Sequence, residues 1–120
     1  MTIGLSSQPR VPLGDWPTPL YEAKRLSEQL GTRLWFKRDD LTGLGAGGNK
    51  ARKLEFHLGK AFEAKATHLV TTGAAQSNHA HLTALAAKRY GLQAHLVLIG
   101  AGICPVRAAT CCWMTCCKPI

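Results

Sequence analysis

Apolar residues recur at helical or strand spacing along most of the chain. Within residues 21–30 they follow a helical period, and Gly31 suits the position just after a helix, so this segment predicts a helix. The aromatic, alternating run 33–37 predicts a strand. Before these two segments, residues 1–19 are rich in proline and glycine and predict an extended lead-in.

A longer helix and a second strand are predicted next. Asn49 can cap a helix over residues 49–64, whose apolar side chains share one face. The apolar run 68–72 then predicts a short, buried strand. Residues 39–48 between the first strand and this helix are rich in glycine and predict a loop.

The last predicted elements complete an alternation of helices and strands. A tight turn over residues 73–76 leads into a helix that begins at Ser77 and ends at Arg89. Residues 93–99 predict a further strand. Strands that alternate with helices are joined by crossovers and lie mainly parallel, so the predicted fold class is α/β with flanking helices.

Composition narrows the class of protein. The chain has 120 residues, of which 46% are hydrophobic and 18% charged, and this balance excludes disordered, collagen-like and coiled-coil proteins. Its apolar runs are shorter than the roughly 18 residues that a membrane span needs, so no membrane partner is expected. Residues 1–12 lack the apolar core of a secretory signal, and we expect a cytoplasmic protein.

Charge and cysteine are unevenly distributed. The formal net charge is +8, which alone suggests an anionic partner, but no acidic residue follows Glu63. All five cysteines lie between Cys104 and Cys117. We therefore divide the chain into residues 1–103 and an aberrant tail, 104–120, and we discount nucleic acid as a partner because the excess charge partly reflects that division.

One chemically suggestive segment is the glycine-rich loop 43–50, which leads into a helix. It matches G-x-G-x-x-G, but the acidic residue expected about 20 positions later is absent, and Asn49 interrupts a phosphate-binding Walker loop. What remains is Lys50 at the first turn of a helix, where partial positive charge favours the neutral amine needed for a Schiff base. An ordinary solvated helix lysine is the alternative.

A second suggestive segment, residues 73–79, joins a strand to a helix at the strand end where α/β sheets bind ligands. Ser77 and Asn78 are candidates to contact a ligand, although serine before a helix is more often a simple cap. His57, His68 and His95 show no metal-ligand spacing and His81 is expected at the surface, so no metal site is predicted.

Together, residues 12–99 resemble the N-terminal part of the fold-type II pyridoxal-phosphate enzymes, in the D-cysteine desulfhydrase and 1-aminocyclopropane-1-carboxylate (ACC) deaminase family. The resemblance implies an incomplete tryptophan synthase beta-like fold and pyridoxal 5′-phosphate as cofactor. The order and spacing of the matching strings carry it: Pro17-Thr18-Pro19-Leu20, Lys37-Arg38-Asp39-Asp40, Gly47-Gly48-Asn49-Lys50 with Arg52-Lys53-Leu54-Glu55, and Gln76-Ser77-Asn78-His79.

The resemblance also implies roles for site residues. Lys50 corresponds to the lysine that carries the cofactor and acts in catalysis, with Lys53 as the second choice. Asn78 corresponds to the residue that contacts the cofactor's phenolic oxygen, and Ser77 to one that contacts the substrate carboxylate or assists catalysis. His79 stands where the desulfhydrases carry histidine and the deaminases glutamine, and it joins Ser77 and Asn78 as a substrate-binding residue.

The activity implied is a lyase reaction on a small amino acid. D-Cysteine loses its β-thiol and yields pyruvate, ammonia and sulfide, with Lys50 taking the α-proton and the cofactor ring accepting electrons. ACC deamination is the main alternative, cysteate sulfo-lysis is another, and a non-enzymatic truncated product is a third. The resemblance implies that full-length relatives are homodimers.

The tail predicts no α/β element. Its adjacent cysteine pairs do not match a zinc site, and a disulfide framework does not suit a chain that lacks cysteine before Cys104. Shifting the reading frame by one base converts Trp113-Met114-Thr115 into two aspartates and the cysteine pairs into leucines. We therefore expect a frameshifted tail, an inactive 120-residue product and exposed apolar surface on residues 1–103.

Overall fold

A computed structural model of the protein describes residues 4–100, apart from the side chain of Leu5. The predicted boundary at residue 103 and the tail 104–120 lie outside the described residues. Two short 3₁₀ turns, Leu5–Ser7 and Asp39–Leu41, accompany the regular elements. In chain order these elements are β1 (Leu20–Glu22), α1 (Lys24–Leu30), β2 (Trp35–Lys37), α2 (Lys50–Glu63), β3 (His68–Ala74), α3 (Asn78–Arg89) and β4 (Gln93–Ile99).

The first predicted helix is wrong at its start. Residues 20–22 form β1, which pairs antiparallel with β2 through Leu20–Lys37 and Tyr21–Phe36. The Tyr21 and Phe36 ring centroids lie 5.7 Å apart, so aromatic packing between strands outweighs the helical spacing of this segment. β2 therefore lies outside the parallel sheet that we predicted it would join, whereas α1 ends at Gly31 in the left-handed conformation, as predicted.

The parallel sheet is formed by β3 and β4. They pair from His68–Gln93 to Ala74–Ile99, with α3 as the crossover packed on one face. β3 extends two residues into the segment predicted as a turn. The expectation of a buried strand is wrong, because alternate residues are exposed on the face opposite α3, including Val70 at 72% and Ile99 at 67%.

The core lies between α2 and α3. Leu54 and Leu58 on α2 pack with Leu82 and Ala86 on α3, and all four are almost fully buried. Leu13 from the extended lead-in closes one side of this cluster. Within residues 4–100, none of the helices has both the length and the apolar character required to cross a bilayer.

Candidate functional site

Lys50 lies where the sequence predicts it, at the first position of α2. Its side chain is half-buried, and Lys53 lies one turn further along and is exposed. Asn49 precedes the helix but already has helical backbone angles, and its side chain makes no capping hydrogen bond. The predicted Asn49 cap is therefore wrong.

The backbone before Lys50 needs glycine. Gly47 and Gly48 have φ angles of 75° and 118°, which side-chain-bearing residues rarely adopt. The amide of Gly48 donates to the carbonyl of Asp39 over 2.7 Å, and a Cβ on Gly47 would collide with the carbonyl of Asp40. These contacts hold the glycine-rich loop against residues 39–41 and fix the direction in which α2 begins.

Asn78 joins the two suggestive segments. Its Nδ2 donates to the carbonyl of Gly47 over 3.1 Å, although 31 residues separate them. A Cβ on Gly48 would lie 2.6 Å from the same Nδ2, so only glycine leaves room for the amide. The structure thus brings the start of α3 against the loop that leads into Lys50.

Ser77 caps α3. Its backbone is extended and its Oγ accepts a hydrogen bond from the amide of Ala80 over 3.3 Å, which confirms the capping alternative. A Cβ on Gly73 would lie 2.6 Å from this Oγ, so the hydroxyl sits directly against the end of β3. A serine hydroxyl that accepts one bond retains a proton to donate, so capping leaves a ligand contact open.

His79 follows on the first turn of α3. Its Nδ1 is buried and has no hydrogen-bond partner among the described residues. Burial lowers the pKa of His79, and Coulombic repulsion from Lys53, His57 and Lys50 lowers it further. These effects favour the uncharged form of the imidazole beside Lys50 and Lys53. His81, expected at the surface, is 4% exposed, so that prediction is wrong.

An ion pair between Asp39 and Arg52 holds the glycine-rich loop from the other side. Neither residue was predicted from the sequence as part of the site. Arg52 donates to both carboxylate oxygens of Asp39 at 2.6 Å, and the Thr18 hydroxyl donates to the same carboxylate at 2.8 Å. The Arg52 bonds outweigh burial and lower the pKa of Asp39 to about 2. The Arg52 guanidinium also lies 4.3 Å from the centre of the Trp16 ring.

Glu55 is a second residue that sequence reasoning missed. It is fully buried, and its Oε1 accepts hydrogen bonds from the Leu13 amide at 2.8 Å and from Trp16 Nε1 at 2.6 Å. Burial alone would raise the pKa of Glu55, but these bonds and those from Gly14 and Arg10 hold it below its usual value. The only signal in the sequence is an acid beside Leu54 on the apolar face of a helix.

A cleft of about 240 Å³ lies between α2, β3 and α3. His57 and His79 contribute its imidazoles, and leucines form much of the rest of its wall. Within the part of the chain that the structure describes, no group of three or more histidine, cysteine, aspartate or glutamate side chains could hold a metal ion. The lining residues are Leu54, His57, Leu58, Leu69, Val70, Thr71, His79 and Thr83.

Comparison with known proteins places this arrangement in a family. The profile described as "Pyridoxal-phosphate dependent enzyme" matches residues 11–108. A putative ACC deaminase of Pyrococcus abyssi is 54% identical over 96 residues, which cover 80% of this chain and 29% of that protein. A D-cysteine desulfhydrase of Salmonella paratyphi B is 48% identical over 88 residues, which cover 73% of this chain and 27% of that protein.

A solved structure shares the fold. The crystal structure of an ACC deaminase homologue matches with a TM-score of 0.74 at 52% identity, covering 78% of this chain and 29% of the other. The match confirms the predicted α/β class as a partial fold, and the chain spans less than a third of the length of the relatives it matches. With most of its residues inside the family profile, the chain belongs to the pyridoxal-phosphate-dependent enzymes, alongside relatives named ACC deaminase and D-cysteine desulfhydrase.

Proposed function

We propose that Lys50 carries pyridoxal phosphate and that the chain supplies part of the active site of a lyase that eliminates the thiol of D-cysteine. The hydrogen bond from Asn78 Nδ2 to the Gly47 carbonyl carries this proposal. It holds residues 77–79 beside the start of α2, and Lys50 is near enough to contribute to the lowered pKa of His79. A small amino-acid substrate suits a site of this kind.

The residues present fit the cofactor. Gly48 carries no Cβ, so the Asn78 amide lies directly against the loop that leads into Lys50 and stands next to the proposed cofactor lysine. His79 offers a buried Nδ1 that has no partner in the described part of the chain. Lys50 would hold the cofactor covalently and Asn78 would contact its phenolic oxygen. When bound, the cofactor supplies an electron sink for the carbanion at Cα.

The chain's own residues would then share the remaining work. Lys50 Nζ, as a free amine, would take the proton from Cα. The Ser77 hydroxyl donates to the substrate carboxylate while its oxygen keeps the cap of α3. The lowered pKa of His79 favours its uncharged imidazole, which would share a hydrogen bond with the substrate without adding charge.

ACC deamination is the second candidate function. The relatives named putative ACC deaminase favour it through their higher identity to this chain. The family resemblance, in which histidine at position 79 goes with the desulfhydrases, favours the desulfhydrase reaction. The two reactions share the cofactor and the lysine, and they differ in the leaving group. Substrate preference therefore has to be measured on the chain itself.

Cofactor binding tests the first part of the proposal. The 120-residue chain is incubated with pyridoxal phosphate, reduced with borohydride and digested, and mass spectrometry locates the modified lysine. We expect modification at Lys50, loss of the visible absorbance band in Lys50→Ala, and retention of it in the matched variant Lys53→Ala. Modification at Lys53, or an equal loss in both variants, would overturn the assignment of Lys50.

Product analysis tests the second part. Sulfide and pyruvate are measured with D-cysteine as substrate, and ammonia is measured with ACC. Sulfide release that depends on Lys50 supports the desulfhydrase proposal, and ammonia from ACC alone supports the second candidate. A chain that binds the cofactor yet releases neither product would contradict catalysis by this chain. Absence of cofactor binding would favour a non-enzymatic product.

A further inference from the structure

We propose that His68 and His95 form a two-histidine site for a divalent transition-metal ion on the exposed face of the β3–β4 sheet. Their ring centroids lie 5.2 Å apart with 24° between the ring planes, and both residues are exposed. His68 opens β3, at the end of the strand opposite Ser77. The site is therefore separate from the region around Lys50 and does not depend on its function.

Sheet register brings the two histidines together. His68 pairs with Gln93, and His95 pairs with Val70 two positions further along. Because side chains alternate between the faces of a sheet, both imidazoles emerge on the same face, one diagonal step apart. Twenty-seven positions of chain separate them, which is why spacing along the sequence gave no metal-ligand pattern.

A hydrogen bond between the Thr67 hydroxyl and His68 favours metal binding by His68. The Thr67 hydroxyl lies 2.7 Å from His68 Nδ1. Metal-binding histidines usually donate their second ring N–H to an oxygen, which fixes the tautomer and raises the basicity of the ligating nitrogen. In the tautomer in which Nδ1–H donates to the Thr67 hydroxyl, the lone pair of His68 is on Nε2 and is available to a metal ion.

The ring separation suits a shared ion. Nitrogen–metal bonds of about 2.0–2.1 Å place the ring centres of two imidazoles on one ion on the order of 5 Å apart. Both rings are exposed, and the His95 ring can turn about χ2 to direct a nitrogen at that ion. Imidazole favours Zn²⁺, Cu²⁺ and Ni²⁺, and water would complete the coordination, so we expect exchangeable rather than structural binding.

Nickel titration tests the site. The five cysteines of the tail are first alkylated with iodoacetamide so that they cannot compete for metal. Paramagnetic Ni²⁺ is then added while the ring C–H signals of the histidines are followed by NMR. We expect the signals of His68 and His95 to broaden first, and His68→Ala and His95→Ala each to weaken binding at least about tenfold.

Two further variants make the outcome decisive. His57→Ala removes an exposed histidine of α2 and should leave Ni²⁺ affinity unchanged. Thr67→Ala keeps both ligands and should weaken binding about tenfold, because it removes only the partner of Nδ1. Unchanged affinity in both His68→Ala and His95→Ala, or a loss confined to His57→Ala, would overturn the proposal.

Discussion

Arg52 donates two hydrogen bonds of 2.6 Å to the carboxylate of Asp39, and the backbone carbonyl of the same aspartate accepts a hydrogen bond from the amide of Gly48. Asp39 therefore holds the chain on both sides of Lys50. Its carbonyl binds Gly48 just before Lys50, and its carboxylate binds Arg52 two residues after Lys50. The backbone position of Lys50 therefore depends on the Asp39–Arg52 ion pair.

This ion pair predicts acid sensitivity. The pKa of Asp39 is lowered to about 2, so its contribution to the free energy of unfolding is complete above its ordinary value of about 4. That contribution is lost as the pH falls from about 4 to about 2. We expect Asp39→Asn to be less stable than the parent chain at pH 6, and the difference to shrink toward pH 2.

Urea unfolding at a series of pH values measures this effect. Glu28→Gln, an exposed change on α1, is the control and should show little difference from the parent chain at any pH. A difference between Asp39→Asn and the parent that stays constant from pH 6 to pH 2 would contradict ionisation of Asp39 as its source.

Glu55 should be the most sensitive acid in α2. The Glu55 carboxylate accepts hydrogen bonds from Leu13, Trp16 and Arg10, and Glu55→Gln removes its negative charge. We expect this variant to lose about 2 kcal/mol in the free energy of unfolding. Glu63→Gln, at the exposed end of the same helix, is the matched control. Similar losses for the two variants in urea unfolding would refute a special role for Glu55.

Gly31 and Gly47 have similar backbone angles, so substituting alanine at each position distinguishes the cost of backbone strain from the cost of a steric clash. Gly31 has a φ of 63° and open space around its Cα, whereas Gly47 has a φ of 75° and faces the Asp40 carbonyl. We expect Gly31→Ala to cost about 1 kcal/mol from the backbone angle alone. Gly47→Ala should cost clearly more and should also reduce pyridoxal phosphate binding, measured by absorbance. Equal costs would argue against the close contact.

Ser77 combines a cap with a proposed ligand contact, and substitution can separate them. Ser77→Ala removes the bond to the Ala80 amide and should cost about 1 kcal/mol of stability. Ser77→Asp keeps a capping oxygen, so stability should be retained while the added negative charge weakens binding of a substrate carboxylate. Urea unfolding and substrate saturation measure the two effects. Loss of stability in both variants would contradict the separation.

Local patterns predicted α2, α3, β3 and β4 because the apolar spacing of each segment matches the element it forms, although the Asn49 cap and the burial of β3 were wrong. β1 was missed because Tyr21 also fits the helical spacing of α1, and only its pairing with Phe36 on another strand reveals it. The burial of His81 and the bonds of Glu55 depend on contacts far apart in sequence. Local spacing carries little information about such contacts.

Lys50 and residues 77–79 were predicted as candidates from the resemblance, and the structure brings the two segments together. How they are held was not predictable from either segment alone, since the Asn78–Gly47 bond and the Asp39–Arg52 pair join residues 31 and 13 positions apart. The roles of these residues in cofactor and substrate binding stay predictions until the variants above are measured.

The β3–β4 sheet has a consequence for handling the protein. Within residues 4–100 it consists of two strands, so each strand leaves one row of backbone amides and carbonyls unpaired. The apolar side chains of Val70, Val97 and Ile99 adjoin these rows and are more than half exposed. Unpaired edges of this kind can form hydrogen bonds with a strand of another molecule, so we expect self-association to increase with protein concentration. Ligand titrations are therefore best run in dilute solution.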